Sequence, residues 1–290
     1  MALLTEDRKN CLVTRHGLKA YHFFAIEALM RETSLCGRCV LEICFSSLPR
    51  ALIVEDFQTD RWVSVGAIDE DYYTWYQKEH DCECEPLHRL VEAKNRLFGD
   101  AYTIFNGEPE AIDDSFAGRF DAVVSLGGFE QIGRLATVLR KAHNSLRPGG
   151  ILFAYFGPIY SCRAGHHCWV NEDLNFIQPN RMPEFAHLLL KPAELLTVLA
   201  EHYPRHVAEE GIHQIYYSTR IARNMYEDYE QYMATSPFDD FELRPFALAP
   251  VDPEMQGRLE AACPGYRRFD AYGLQIVARK LVNNRSLEGH

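Results

Sequence analysis

No apolar run in this chain is long enough to cross a bilayer: the longest, such as 150–157, extend over about eight residues, against the roughly 20 that a spanning helix needs. A charged-then-apolar leader is missing from the opening residues, so the protein is expected in the cytoplasm. Positive charge is in short supply, with 30 Lys and Arg against 41 Asp and Glu and a net charge of -11. A field of that sign repels phosphate backbones and anionic head groups, which removes nucleic acid and membrane surfaces from the expected partners. There is no Gly-x-x-x-x-Gly-Lys loop, no Gly-x-Ser-x-Gly elbow and no Gly-x-Gly-x-x-Gly turn. Their absence argues against the common ATPases, the α/β hydrolases and the dinucleotide-dependent dehydrogenases. Nine cysteines is an odd number in a chain long enough to fold without staples, so reduced thiols are expected rather than a disulfide framework.

What the chain has is core material laid out in an alternating pattern. Of its 290 residues, 47% are hydrophobic and 12% aromatic, the composition of a globular protein. Apolar residues at helical spacing over 5–36, among them Leu18, Tyr21, Phe24, Ile26, Leu29 and Met30, predict one or two helices ahead of a sheet. Strands are expected at 40–45, 61–65, 102–105, 120–126 and 151–156, and helices over 50–57, 72–98 and 130–146, with Arg147-Pro148-Gly149-Gly150 as a breaker. A mainly helical stretch from 169 to 235 is too long for an ordinary connection and reads as a cap. Residues 242–248 and 272–281, with a helix over 253–262 between them, complete the sheet as an antiparallel pair. Alternation at this spacing predicts an α/β fold: one domain over 1–285, with a doubly wound, mostly parallel seven-stranded sheet. Residues 1–37 form its N-terminal helical segment and 169–235 the cap inserted after the fifth strand; 286–290 read as a tag remnant. Ligands of such sheets bind beyond the carboxyl ends of the strands.

Phe120-Asp121-Ala122-Val123-Val124-Ser125-Leu126, followed by a helix and then by Leu146-Arg147-Pro148-Gly149-Gly150-Ile151-Leu152, resembles the fourth and fifth strands of class I S-adenosylmethionine-dependent methyltransferases. Val40-Leu41-Glu42-Ile43 resembles their first strand. The resemblance implies a Rossmann-like methyltransferase fold, S-adenosylmethionine as cofactor, and methyl transfer to an oxygen or nitrogen of a small metabolite or sugar. It implies cofactor contacts at Glu42, Cys44, Ser46, Asp69, Glu108, Ser125, Leu126 and Gly127. The chain departs from the family after the first strand, where Cys44-Phe45-Ser46-Ser47 stands in place of Gly-x-Gly, and at the second, where Gly66 falls near the ribose-binding acid and Asp69 is the nearest carboxylate. Gly157-Pro158-Ile159-Tyr160-Ser161 and the downstream Gly165-His166-His167 look like a subgroup acting on small molecules or sugars.

An in-line displacement at a methyl carbon needs a positioned acceptor and, for a hydroxyl, a base of near-neutral pKa. His166 and His167, just past the fifth strand, are the expected catalytic residues, set against a bland role of tying the loop by hydrogen bonds. His187, His213 and Tyr217 in the cap are the expected acceptor-binding residues, although a lone histidine in a helix is more often a packing residue. Tyr216, Tyr226, Tyr229 and Tyr232 are expected to be core. Cys36-x-x-Cys39 and His80-x-Cys82-x-Cys84-x-x-x-His88 hold zinc-ligand types at weak spacing, and no metal is expected. Asp113 and Asp114 read as a solvated turn. The expected partner is a small-molecule acceptor, and a homodimer is one association open to the chain. The competing expectation is a protein of this fold that has lost transfer activity and serves as a binding or scaffold partner.

Overall fold

The computed structural model describes residues 5–44, 46, 48–67, 101–112, 114–176 and 182–282. Two helices come first, α1 (Glu6–His16) and α2 (Ala20–Glu32). The sheet strands are β1 (Cys39–Ile43), β2 (Arg61–Gly66), β3 (Tyr102–Asn106), β4 (Phe120–Leu126), β5 (Leu146–Phe156), β6 (Asp240–Leu248) and β7 (Ala271–Arg279). Between β4 and β5 runs α3 (Leu135–Ser145). After β5 come α4 (Ala186–Leu189), α5 (Pro192–Ala200), α6 (Arg205–Ile212) and α7 (Tyr226–Ala234), and α8 (Pro253–Ala262) joins β6 to β7.

The seven strands lie in the order β3-β2-β1-β4-β5-β7-β6. Neighbours among β1 to β5 pair in parallel, while β7 runs antiparallel to both β5 and β6. This is the doubly wound, mostly parallel α/β sheet expected, closed by an antiparallel pair. Because side chains alternate across a strand, each strand feeds two cores. Leu41, Ile43, Val123, Leu152, Ala154 and Phe156 meet α3 (Leu135, Val138, Leu139, Ala142) and α7 (Tyr226, Tyr229, Met233) on one face. Val40, Ala122, Val124, Ile151 and Phe153 meet Leu12 and Leu18, the α2 residues Ile26 and Leu29, and Leu52 and Ile53 on the other. With both faces covered, the central strands are nearly continuous apolar runs, as the sequence shows at 120–126. A third apolar cluster (Cys168, Leu174, Leu195, Leu199, Ala208, Ile212 and Ile215) belongs to the segment after β5 and packs within itself.

Two expectations need correction and a third a refinement. The helix read over 130–146 is a short 3-10 turn, Phe129–Gln131, and then α3 from Leu135, because Gly133 interrupts the run and Ile132 turns extended. The helix read over 50–57 is present over 50–56, with its last five residues, Leu52–Asp56, wound as a π-helix. Residues 147–150 do not break the chain before the fifth strand; they are part of β5, which pairs from Leu146 through a register shift opposite 120–122. The helix read over 72–98 and the tag remnant lie outside the described residues.

Candidate active site

β1 and β4 are neighbours, yet the chain leaves β1 toward β2 and leaves β4 toward β5, in opposite directions across the sheet. Connections that diverge in this way open a crevice at the carboxyl ends of the two strands. On the β1 side, Cys44 follows Ile43 with φ 61°, and its N–H donates to the Val65 carbonyl at 2.9 Å. Left-handed backbone costs about 1–2 kcal/mol for a residue with a β-carbon. On the β4 side, Gly127 (φ 77°) and Gly128 turn the chain against Cys44. A β-carbon at Gly128 would fall 3.0 Å from the Cys44 sulfur and 3.1 Å from Ser125 Oγ. The glycine that permits close backbone approach thus stands on the β4 side of the crevice.

Glu42, in β1, is fully buried and accepts four hydrogen bonds. Its Oε1 takes the Ser46 N–H at 3.0 Å and the Ser46 hydroxyl; its Oε2 takes Trp62 Nε1–H at 3.0 Å and the Ser64 hydroxyl. Burial pushes the carboxyl up from its ordinary value, and the hydrogen bonds from Ser46, Ser64 and Trp62 oppose that rise. Both carboxyl oxygens are taken up in holding the turn after β1, so Ser46 is fixed from beneath.

Carboxyl groups collect around Cys44. Burial pushes its thiol up, and Glu130, Glu42, Glu110 and Glu108 push in the same direction. Glu108 is exposed at the end of the β3 segment, whereas Glu130 is only 6% exposed on the turn after β4. Burial raises Glu130 to about 8, against a slight lowering by its own backbone N–H. Among the described residues its Oε2 has no hydrogen-bond partner, nor has the buried Ser125 Oγ. The Glu130 carbonyl accepts from Ala222 N–H at 3.2 Å, which ties the chain before α7 to the crevice. Sequence reasoning missed Glu130 by reading it as the first residue of a long helix. The signal that could have found it is Gly127-Gly128 directly before it, a pair that ends a buried strand in a tight turn.

Beyond β5 the cis Gly157–Pro158 bond leads into the histidine loop. His166 is fully buried, and its Nδ1 accepts the Cys168 N–H at 3.1 Å. Nδ1 is therefore unprotonated, and the ring's proton sits on Nε2, which has no partner. His187 is the converse: Nε2–H donates to the Tyr160 carbonyl at 2.7 Å, leaving Nδ1 as a buried acceptor without a partner. The two rings lie 5.9 Å apart. His167, with φ 49°, donates Nε2–H to the Pro158 carbonyl. Burial lowers His166 to about 3, with help from His187 and His167, and lowers His167 and His187 each to about 4. All three are neutral at pH 7. A hydroxyl, which both accepts and donates, would satisfy the His166 and His187 pair together.

Leu126 and Gly127 lie at the crevice with Ser125, and Gly127 N–H donates to the Tyr155 carbonyl at 2.8 Å. His213 and Tyr217 are exposed, with rings 6.4 Å apart on the π turn after α6. Tyr226 and Tyr229 are core, as expected. Asp69, Asp113 and the segment from His80 to His88 lie outside the described residues. Cys36 and Cys39 donate to Gln58 and Asp60 respectively, and among the described residues no three His, Cys, Asp or Glu are placed to hold a metal.

No protein-family model and no curated protein matches the chain. Solved structures do. An S-adenosylmethionine-dependent methyltransferase from Mesorhizobium loti is 13% identical with a TM-score of 0.46, over 90% of this chain and 98% of that one. One from Archaeoglobus fulgidus is 12% identical with a TM-score of 0.47, over 94% and 99%. A Haloferax volcanii methyltransferase, solved as a complex with a methyltransferase activator, is 13% identical with a TM-score of 0.44, over 96% and 95%. Likeness at this level concerns general architecture alone. What a ligand would meet here is set by the residues above.

Proposed function

We propose that this protein transfers a methyl group from S-adenosylmethionine to an oxygen or nitrogen of a small metabolite or sugar, at the crevice between β1 and β4. The observation that carries the reading is the gathering of Cys44, Ser125, Gly127, Gly128, Glu108 and Glu130 at the sheet's switch point. Orphaned buried polar atoms and carboxyls meet there, with no cation among the described residues to neutralise them. When bound, the cofactor offers a methyl carbon activated by a positively charged sulfonium, and an acidic crevice suits that charge and the cofactor's ammonium group.

Backbone at Cys44 and Gly127 would line the cofactor, Ser125 Oγ would donate to it, and Ser46 would act as the arm that Glu42 holds in place. Leu126 would pack against it, Glu108 would reach its outer end, and Asp69 is assigned the ribose. His166 and His167 serve the acceptor: His166 presents an N–H and His167 fixes the loop through Pro158, with His187 opposite. No described helix is long and apolar enough to cross a membrane. The reading places the enzyme in the cytoplasm with a small-molecule acceptor.

Calorimetric titration with S-adenosylmethionine and S-adenosylhomocysteine tests it. Binding near 1 μM, about -8 kcal/mol, is the expected result. A second reading, a binding protein of this fold without transfer activity, is favoured by the Cys44 side chain at a glycine position and by the saturated acceptors of Glu42. It gains the field if neither ligand binds.

A further inference from the structure

The reading above counts the buried carboxyl on the β4 turn among the crevice acids but gives it no contact of its own. Glu130 is 6% exposed and, among the described residues, pairs with no cation and leaves Oε2 without a hydrogen-bond partner. Nature rarely leaves such an atom inside a protein without a purpose, since burying it unpaired is unfavourable. Among the described residues no cation offsets its burial. Cys44 lies on the β1 side, while Tyr229 of α7 and Tyr272 of β7 are each pushed up in part by Glu130. Nearby, Asn224 accepts from the Tyr232 hydroxyl through Oδ1 at 3.4 Å and keeps Nδ2 as another buried orphan. The wall behind is aromatic: Phe156 lies 5.0 Å from Tyr229 and 5.7 Å from Phe129, centroid to centroid. Aromatic faces beside an unpaired carboxyl favour a cation.

We propose that Glu130 is the acceptor-site carboxyl and that the acceptor it receives is an amine, arriving as its ammonium. The proposal rests on the transfer reading for its catalytic meaning and narrows the acceptor atom to nitrogen. In the free protein Glu130 holds its proton at pH 7, because burial sets it near 8. An incoming ammonium displaces that proton to solvent and pairs with the carboxylate. The ammonium then passes one of its own protons to Glu130, which leaves a neutral carboxylic acid and a neutral amine with its lone pair free. The charge balances at each stage and no further reactant is needed. The same geometry disfavours carboxylate and phosphate acceptors, which would meet Glu130, Glu108 and Glu110 without a compensating cation among the described residues.

Benzylamine, benzyl alcohol and benzoate share a ring and differ in charge, so they serve as probes in calorimetric titrations at pH 7, with and without S-adenosylhomocysteine, in two buffers of different ionisation enthalpy. The expected result is benzylamine at least ten-fold tighter than benzyl alcohol, no benzoate binding, and release of about one proton per site. Glu130→Gln, which mimics the neutral acid and should fold normally, should bind the amine and the alcohol equally and release no proton. Equal binding in the natural protein, a preference that survives in Glu130→Gln, or no benzylamine binding would each overturn the proposal. If S-adenosylhomocysteine fails to bind while the amine preference holds, the transfer reading falls and the role of Glu130 as a cation site stands. The reverse pattern removes Glu130 and leaves transfer intact.

Discussion

Gly128 crosses Cys44 with no room between them for so much as a methyl group: a β-carbon added to Gly128 would lie 3.0 Å from the Cys44 sulfur and overlap its β-carbon. The two residues form one joint. Cys44 holds the left-handed conformation that a glycine would adopt freely, and Gly128 gives up the side chain that Cys44 could not tolerate.

The joint predicts a coupled pair of substitutions. Gly128→Ala should destabilise by about 2–3 kcal/mol, the upper part of the usual range for overpacking. Cys44→Gly should be close to neutral or stabilising by up to about 1 kcal/mol, since release of left-handed strain is offset by glycine's greater freedom when unfolded. In the double variant the clash is gone, so the summed single effects should overestimate the loss by about 1 kcal/mol or more. Urea unfolding of the four proteins checks this, and strict additivity would show that the two sites do not share the space.

Opposite pH slopes are expected from Glu130 and the histidines. Glu130, raised to about 8 when folded, binds a proton in the folded state that the unfolded chain has lost above about 4.3. Its stabilising contribution is whole below that pH and fades as pH climbs toward 8, by up to about 1.4 kcal/mol per pH unit. His166 and His187, lowered to about 3 and 4, do the reverse: stability is whole above about 6.5 and is lost as pH falls toward 4. Stability should therefore peak near pH 6.5, with an acid limb made shallower by His187→Gln and an alkaline decline removed by Glu130→Gln. Unfolding midpoints from pH 4 to 9 for the three proteins would reveal a wrong assignment as an unchanged limb.

Glu42→Gln should cost about 2–4 kcal/mol, because an amide group would aim donors at Trp62 Nε1–H or the Ser46 N–H, each of which already donates. Thermal unfolding reads the loss. If the turn after β1 receives cofactor, S-adenosylhomocysteine affinity should fall as well, even at temperatures where the variant is fully folded.

Gly165 sits against the carbonyls of Ile159 and Tyr160, and an added β-carbon would come within 2.6 Å of the Tyr160 carbonyl carbon. Backbone cannot yield there as a side chain would. Gly165→Ala should displace the loop bearing His166 and His167 and cost about 2–3 kcal/mol. Loss of histidine burial should bring their titrations back toward 6.5, visible in proton NMR of the ring C–H signals.

Much of the sheet was legible because burial on both faces writes itself into sequence as apolar runs: 120–126 was found to the residue, and the antiparallel closing pair was recognised before its order was known. That β7 lies between β5 and β6 was not readable, since strand order depends on long-range pairing that no local pattern encodes. The places of Ser125 and Gly127 at the end of β4 and of the His166-His167 pair past β5 were legible in the sequence, but their surroundings were not. Burial decides that Glu130 keeps its proton and that His166 presents an N–H, and burial at a crevice is a property of the assembled sheet. π-wound segments such as Leu52–Asp56 and short turns such as Phe129–Gln131 carry helical spacing for too few residues to be separated from regular α-helix.

The placement of β7 also has a consequence in time. β5 ends at Phe156, while the strand that covers its free edge begins at Ala271. At ordinary rates of synthesis those intervening residues take on the order of ten seconds to appear. Through that interval the nascent chain displays an unpaired, strongly apolar strand edge, the kind of surface that captures other strands. Translation slowed between these two points, or a stop before Ala271, should therefore send the chain to chaperones or proteases even though every residue of the crevice has already been made.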